Sequence, residues 1–208
     1  GPQGRAMNST SGNGGREQTR ELSYEEFGHQ FIHQLVTPAR IERELKALLA
    51  EPIKGTVKRL PAEMITARYT FYLQDVQVTT RPECLPQLGL RQRISGLLAL
   101  SVNLLGLNLR FTLQLAINLE QRVRPYEPLT LRIETRPVGG EAIEIKVDSH
   151  GIPSEIADRL NLIEGAVRAQ VVDEVNARLA SGPIAAAVNI DLRRIAEEAR
   201  LAPPATRT

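Results

Sequence analysis

Cysteine occurs once in the 208 residues, at Cys84, so the chain can close no disulfide on itself and cannot build a multi-cysteine zinc site or a CxxC redox pair. Tryptophan is absent, and only four Phe and four Tyr are present; the aromatic platforms on which single-stranded nucleic acid stacks are therefore missing. An excess of one charge is missing too. Lys and Arg number 26 against 24 Asp and Glu, a net charge of +2, which is not the strong polycation that duplex nucleic acid selects. No nucleic-acid partner is expected. There is no uninterrupted apolar run of 18 residues: the most apolar stretch, Ile94 to Leu109, contains Ser101, Asn103, Gly106 and Asn108, so no membrane-spanning helix is expected. The phosphate-cradling G-x-x-x-x-G-K-[ST] loop, the G-x-G-x-x-G fingerprint and the G-x-S-x-G elbow are all absent. Nothing in the sequence marks a catalytic centre or a cofactor site, and the chain is not expected to be an enzyme.

What is present is apolar surface. With 42% hydrophobic and 24% charged residues, the chain can bury a core, and its length suits a single domain. Residues 1–22 are rich in Gly, Ser, Asn and Gln and cannot offset their ordering entropy by burial, so they are expected to form a flexible tail. Gly1-Pro2 reads as the remnant of a cleaved tag and Met7 as the natural start. No charged-then-apolar leader follows Met7, which favours a cytoplasmic or membrane-peripheral location, although a removed signal peptide would leave the same sequence. The domain is expected over 23–200, with 201–208, containing Pro203-Pro204, as a second flexible tail.

Ser23-Tyr24-Glu25-Glu26 has capping-box spacing, and Phe27, Phe31 and Leu35 then recur every four residues. Thr37-Pro38 offers a second helix start, continued by Ile41, Leu45, Leu48 and Leu49, so the spacing predicts one kinked helix or two abutting ones. Between Ile65 and Leu73 alternate residues are apolar, and Val76 and Val78 then take the opposite parity. A period-two strand permits this only through a bulge or bend near Gln74-Asp75. Arg81 to Leu90, with Pro82, Pro86 and Gly89, reads as a loop.

The strongest pattern follows. Leu105, Leu107, Leu109, Phe111, Leu113, Leu115, Ile117 and Leu119 are apolar at every odd position, with mostly polar residues between them. Upstream, Leu98, Leu100, Val102 and Leu104 are apolar at even positions, so the parity changes near Gly106. A long strand, a curved strand or two strands would each produce this. Two further strands are expected at hairpin spacing, one carrying Leu129, Leu131 and Ile133 and the other Ile143, Ile145 and Val147. Arg132, Glu134, Glu144 and Lys146 are placed on their outer face for cross-strand pairs. After His150 to Ser154 a long helix is predicted to about Ala180, with Ile156, Leu160, Ile163, Val167, Val171, Val175 and Leu179 along one stripe. Ser181-Gly182-Pro183 breaks it, Ile184 to Ile190 is expected as a short strand, and Asp191 as the cap of a last helix through Arg200.

Two polar groupings have the composition of sites. His29 and His33 stand four apart on a helix, a spacing that can place two imidazoles on one metal. The helical metalloprotease pattern, however, needs Glu directly after the first His, where this chain has Gln30, and Glu25 would have to serve as third ligand. Packing or solvated histidines are expected, and no metal. Arg91 and Arg93, and the cluster of Lys54, Lys58 and Arg59, are expected as solvated charges. Their alternative is transient contact with anionic lipid headgroups.

An N-terminal amphipathic helix (Phe27 to Ala50), long curved strands (Ile65 to Val78, Leu97 to Leu119, Leu129 to Val147) and a long helix (Ile156 to Leu179) together resemble the tubular lipid-binding (TULIP) superfamily, which includes the SMP and BPI-like domains. The resemblance is one of architecture and carries no local motif. It implies an α+β fold in which a long, curved antiparallel meander wraps around the long helix, and it implies non-catalytic binding or transfer of a lipid or other hydrophobic ligand. On that reading the lining residues are Leu105, Leu107, Leu109, Phe111, Leu113 and Leu115 from the long strand, Leu131, Ile133, Ile143 and Ile145 from the hairpin, and Ile163 and Val167 from the helix. The alternatives are an assembly protein whose apolar sheet face pairs with a second copy, as in a homodimer, and a helix-grip ligand-binding domain of the START or cyclase type.

Overall fold

The computed structural model describes residues 20–58, 60, 65–104, 106–147 and 154–201. The expected tails up to residue 19 and beyond 201 lie outside the described residues, as do Arg59, Leu105 and His150.

Helix α1 (Tyr24–Leu35) begins at the capping box. Ser23 Oγ accepts the Glu26 amide at 3.1 Å, and the Glu26 carboxylate accepts the Ser23 amide at 2.9 Å. A second helix, α2 (Pro38–Leu48), abuts it, with Thr37 as cap and Pro38 in the first turn, where its missing N–H costs nothing.

Seven strands follow, β1 (Ile53–Val57), β2 (Ile65–Thr80), β3 (Gly89–Leu104), β4 (Leu107–Tyr126), β5 (Thr130–Thr135), β6 (Ile143–Val147) and β7 (Asn189–Asp191). They form one antiparallel sheet in the order β1-β2-β3-β4-β5-β7, with β6 also paired to β4. The sheet is strongly curled into a half-barrel. The fold is the α+β arrangement expected, a long curved sheet around a long helix.

Two irregularities set the inward face. Leu73 pairs with Gly96 and Asp75 with Ser95, so Gln74 is the extra residue of a bulge. Before it Ala67, Tyr69 and Phe71 are buried, and after it Val76 and Val78. The parity change near Gly106 is a hairpin turn: Leu104 pairs with Leu107, and Gly106 takes φ +86°. The apolar run on odd positions therefore belongs to β4, which extends beyond Leu119 to Tyr126.

The hairpin expected between β5 and β6 does not form. Both lie on the same edge of β4, Thr135 opposite Gln121 and Ile143 opposite Ile117, and the Arg136 amide continues the ladder to the Glu120 carbonyl at 3.0 Å. β4 is long enough to pair with both segments in succession, so the turn-forming residues 137–140 make an excursion and no reversal. The outer charges pair accordingly with other strands, Glu134 with Arg124 of β4 and Glu144 with Arg93 of β3.

Helix α3 (Ser154–Ala180) lies against the concave face, with Leu160, Ile163, Ala166 and Val167 buried. Burial of each such aliphatic side chain contributes about 1.5–3 kcal/mol. Polar contacts fix its position: Gln170 Oε1 accepts the Lys58 amide at 3.1 Å, and Arg168 donates to the carbonyls of Gly140, at 3.2 Å, and Ile143. The segment from Ile184 is helical and not the expected strand. Pro183 falls in the first turn of α4 (Gly182–Ala187), three alanines favour the helix, and only Asn189–Asp191 pair with β5. Asp191 caps α5 (Leu192–Leu201), its Oδ1 accepting the amides of Arg193 and Arg194 at 3.0 and 3.3 Å.

Candidate functional site

Helix α2 packs over β2, where Glu42 accepts the Val78 amide at 2.8 Å and Lys46 meets Asp75 at 3.1 Å. The C-terminal half of α3 and the whole of α4 lie apart from it, and the space between is an apolar cleft of about 130 Å³, partly open to solvent. Its floor is Tyr69 and Phe71 of β2, Ile94 and Leu98 of β3, Leu115, Ile117 and Leu119 of β4, and Ile133 of β5. The helices contribute Ile41, Leu45 and Leu48 of α2, Val171, Val175 and Leu179 of α3, and Ile184 and Ala187 of α4.

Two of the floor rings occupy space that glycines leave open. Tyr69 lies over Gly55 of the neighbouring strand, and a Cβ added there would fall 2.3 Å from its hydroxyl. Phe71 covers Gly96, where an added Cβ would meet the ring at 2.6 Å and the Tyr72 carbonyl at 2.3 Å. The glycines let both rings lie close to the sheet.

Polar groups in the lining are few. Glu44 is bonded to Arg40 at 2.9 Å, and Glu174 to Arg178 at 2.8 Å, one helical turn apart in each case. The Tyr69 hydroxyl titrates above its ordinary range, chiefly because it is buried and then because the Glu174 carboxylate stands beside it. On the floor, Gln92 of β3 donates to Gln121 of β4. No nucleophile with an adjacent base is found among these residues; the arrangement can sequester aliphatic matter from water.

Of the residues predicted to line a groove, Leu115 and Ile133 do line this cleft. Leu113, Leu131, Ile143, Ile163 and Val167 are buried in the core, and Leu109, Phe111 and Ile145 are half-buried against it. Leu107 is 66% exposed next to the hairpin turn. Leu105 lies outside the described residues. The α2 and α3 stripes carried the signal for Ile41, Leu45, Leu48, Val171, Val175 and Leu179, and the strand rows that for Tyr69, Phe71, Leu98, Ile117 and Leu119. Gln92 and Gln121 were also visible as polar interruptions of two apolar rows, Leu90 to Leu98 at even positions and Leu113 to Val123 at odd ones.

The other sequence candidates fall elsewhere. His33 Nε2 meets the Pro86 carbonyl at 3.3 Å, and His29 borders the same surface depression beside Arg122 and Tyr126. Among the described residues, no three His, Cys, Asp or Glu side chains converge as a metal site would require. Arg93 is bonded to Glu144 and Asn118, and Arg91 stands 3.7 Å from Glu83. No described helix is long and apolar enough to cross a membrane. Comparison of the chain with protein-family models and with curated proteins finds no match.

Proposed function

We propose that this protein binds a lipid or other aliphatic molecule in the cleft between α2, α3, α4 and the curled sheet, as a non-catalytic carrier. The observation that carries the reading is the lining: the helices and β3, β4 and β5 present Leu, Ile or Val to the cleft, β2 presents Tyr69 and Phe71, and one side is open. Each methylene moved from water into such a lining contributes about 0.8 kcal/mol. The curled sheet around a long helix is the shape that the TULIP resemblance implies, and it supports the same reading. The cleft is smaller than the roughly 300 Å³ at which ligand pockets begin, so taking up a whole chain requires α2 and α4 to part. Leu48, 40% exposed at the end of α2, lies where such a chain would emerge. The test is native mass spectrometry of the purified protein together with uptake of a fluorescent fatty acid. Co-purified lipid or saturable uptake is expected; a ligand-free species that takes up nothing overturns the proposal.

A second reading, self-association, is favoured by α1. Tyr24, Phe27 and Phe31 share one side of that helix, with the two Phe rings stacked 6.2 Å apart and Phe27 59% exposed. The apolar sheet face that sequence alone offers for pairing is covered by α2 and α3, so α1 is the surface that a second copy would use. Sedimentation velocity across a hundredfold concentration range should then show a reversible dimer, and a monomer throughout overturns this reading.

A further inference from the structure

Helix α1, the residues just before β3 and the last residues of β4 enclose a second depression, of about 510 Å³, which shares no lining residue with the apolar cleft. Four of its side chains carry or can take up positive charge, His29 and His33 of α1 and Arg122 and Arg124 of β4. Among the described residues no Asp or Glu lines it. Glu25, one turn before His29, and Glu127, next to Tyr126, are exposed and are not part of the lining. The glutamates at neighbouring positions of the sheet are already engaged. Glu134, opposite Arg122 in the β4–β5 ladder, accepts from Tyr126 and pairs with Arg124 at 3.3 Å. Glu120 pairs with Arg81 at 3.4 Å and with Arg136 at 3.8 Å. The Arg122 guanidinium has no hydrogen bond or ion pair among the described residues. Arg124 stands directly opposite Arg132, a placement of like charges that weakens a sheet. An anion held between α1 and β4 offsets this surplus and stabilises the fold that binds it.

We propose that this depression binds a phosphate monoester through Arg122, Arg124 and His29. Each guanidinium offers two parallel N–H groups to an oxyanion, and the imidazole adds a further donor. His33 Nε2 meets the Pro86 carbonyl at 3.3 Å and ties α1 to the residues before β3, which sets the width of the site. Donors that come from two elements suit an anion with oxygens on several sides. A carboxylate presents two oxygens in one plane, whereas a phosphate monoester presents three on a tetrahedron and carries about two negative charges at pH 7. The volume lies within the roughly 300–1,000 Å³ of small-molecule sites, and Ile32, Leu88 and Val123 give the organic part of the ester an apolar wall. A soluble ester and the headgroup of a phospholipid present the same phosphate. The site stands apart from the cleft and does not depend on the lipid-binding proposal.

The test titrates the full chain by calorimetry, at fixed ionic strength, with glycerol 3-phosphate and with glycerate, and measures flotation with phosphatidylcholine vesicles with and without one-fifth phosphatidic acid. Glycerol 3-phosphate should bind at least tenfold tighter than glycerate, and Arg122→Gln should weaken it at least tenfold. Arg43→Gln, at an exposed position of α2 outside the lining, removes the same charge and should leave the affinity within twofold of wild type. Both arginines are exposed, so neither substitution disturbs the core. Binding only to the vesicles that contain phosphatidic acid, lost in Arg122→Gln and kept in Arg43→Gln, supports the site and assigns it to a lipid headgroup. Equal binding of glycerate, equal effects of the two substitutions, or no binding of either phosphate probe overturns the proposal.

Discussion

Glu144 on β6 grips Arg93 on β3 across the strand between them, its two carboxylate oxygens accepting from the guanidinium at 2.8 and 2.7 Å. Asn118 of that intervening strand, β4, donates to the same carboxylate at 2.9 Å, so one group ties three strands on the outer face of the sheet. The Arg93 bonds first, and the Asn118 bond second, hold the Glu144 carboxyl down to about 2 from an ordinary 4.5.

A pH dependence follows. Because the folded value is depressed, the contribution of Glu144 is fully present above the ordinary carboxyl range and is lost as pH falls from about 4.5 toward 2. Urea midpoints measured from pH 6 to pH 2.5 should fall for the wild type and fall less steeply for Glu144→Gln, which keeps the shape but has no proton to gain. Identical slopes would show that the grip contributes nothing. The effect should shrink in high salt, since the pair is part-exposed.

The two glycines beneath aromatic rings should respond differently to alanine. At Gly55 the new methyl meets the Tyr69 side chain, which can shift. At Gly96 it also meets the Tyr72 backbone carbonyl at 2.3 Å, which cannot shift without breaking the strand. Overpacking of this kind costs about 1–3 kcal/mol, and denaturant melts should place Gly96→Ala at or above the upper end and Gly55→Ala below it. Combining Gly55→Ala with Tyr69→Leu should recover part of the loss, through coupling of the two sites.

Asn176 on α3 anchors the excursion between β5 and β6. Its side chain accepts the Val138 amide and donates to the Val138 carbonyl, each at 3.0 Å. Asn176→Ala leaves both buried groups unbonded, and a loss of about 2–3 kcal/mol is expected in chemical denaturation. Asn176→Asp preserves the acceptor alone and should lie between alanine and wild type; an alanine variant within experimental error of wild type would contradict this account.

How far the sequence foretold these features depended on whether the determining interaction was local. Ser23 with Glu26, Thr37 with Arg40 and Asp191 with Arg193 act within one helical turn, and all three helix starts could be read directly. The period-two rows of β3 and β4 were legible as strands, and the parity changes located both the Gln74 bulge and the Gly106 turn. What period two cannot encode is the partner. Ile143 finds β4, not β5, because β4 runs twenty residues and offers edge to both, and nothing between Pro137 and Gly140 records that length. Nor can period two encode which part of an apolar row the helices leave uncovered. Of the apolar row Leu107 to Leu115 only Leu115 borders the cleft: Leu113 is buried in the core, Leu109 and Phe111 are half-buried against it and Leu107 is exposed, whereas the gap opens beside Ile41 and Leu45.

That displacement decides which variants can test the site. Leu113 is 2% exposed in the filled part of the core, so a charge there would report on folding. Ala187 is better placed: it lines the cleft and is exposed on α4, so a larger side chain can enter the cleft without displacing a packed neighbour. Ala186, adjacent on the same helix and also exposed, is not part of the lining and serves as control. Ala187→Trp should weaken fatty-acid uptake at least tenfold, because the indole occupies the apolar volume that the chain would take. Ala186→Trp should leave uptake within twofold of wild type. Thermal midpoints of the two variants should agree within a few degrees, since neither alanine is buried. Equal uptake by both variants would place the binding site away from the cleft between α2 and α4.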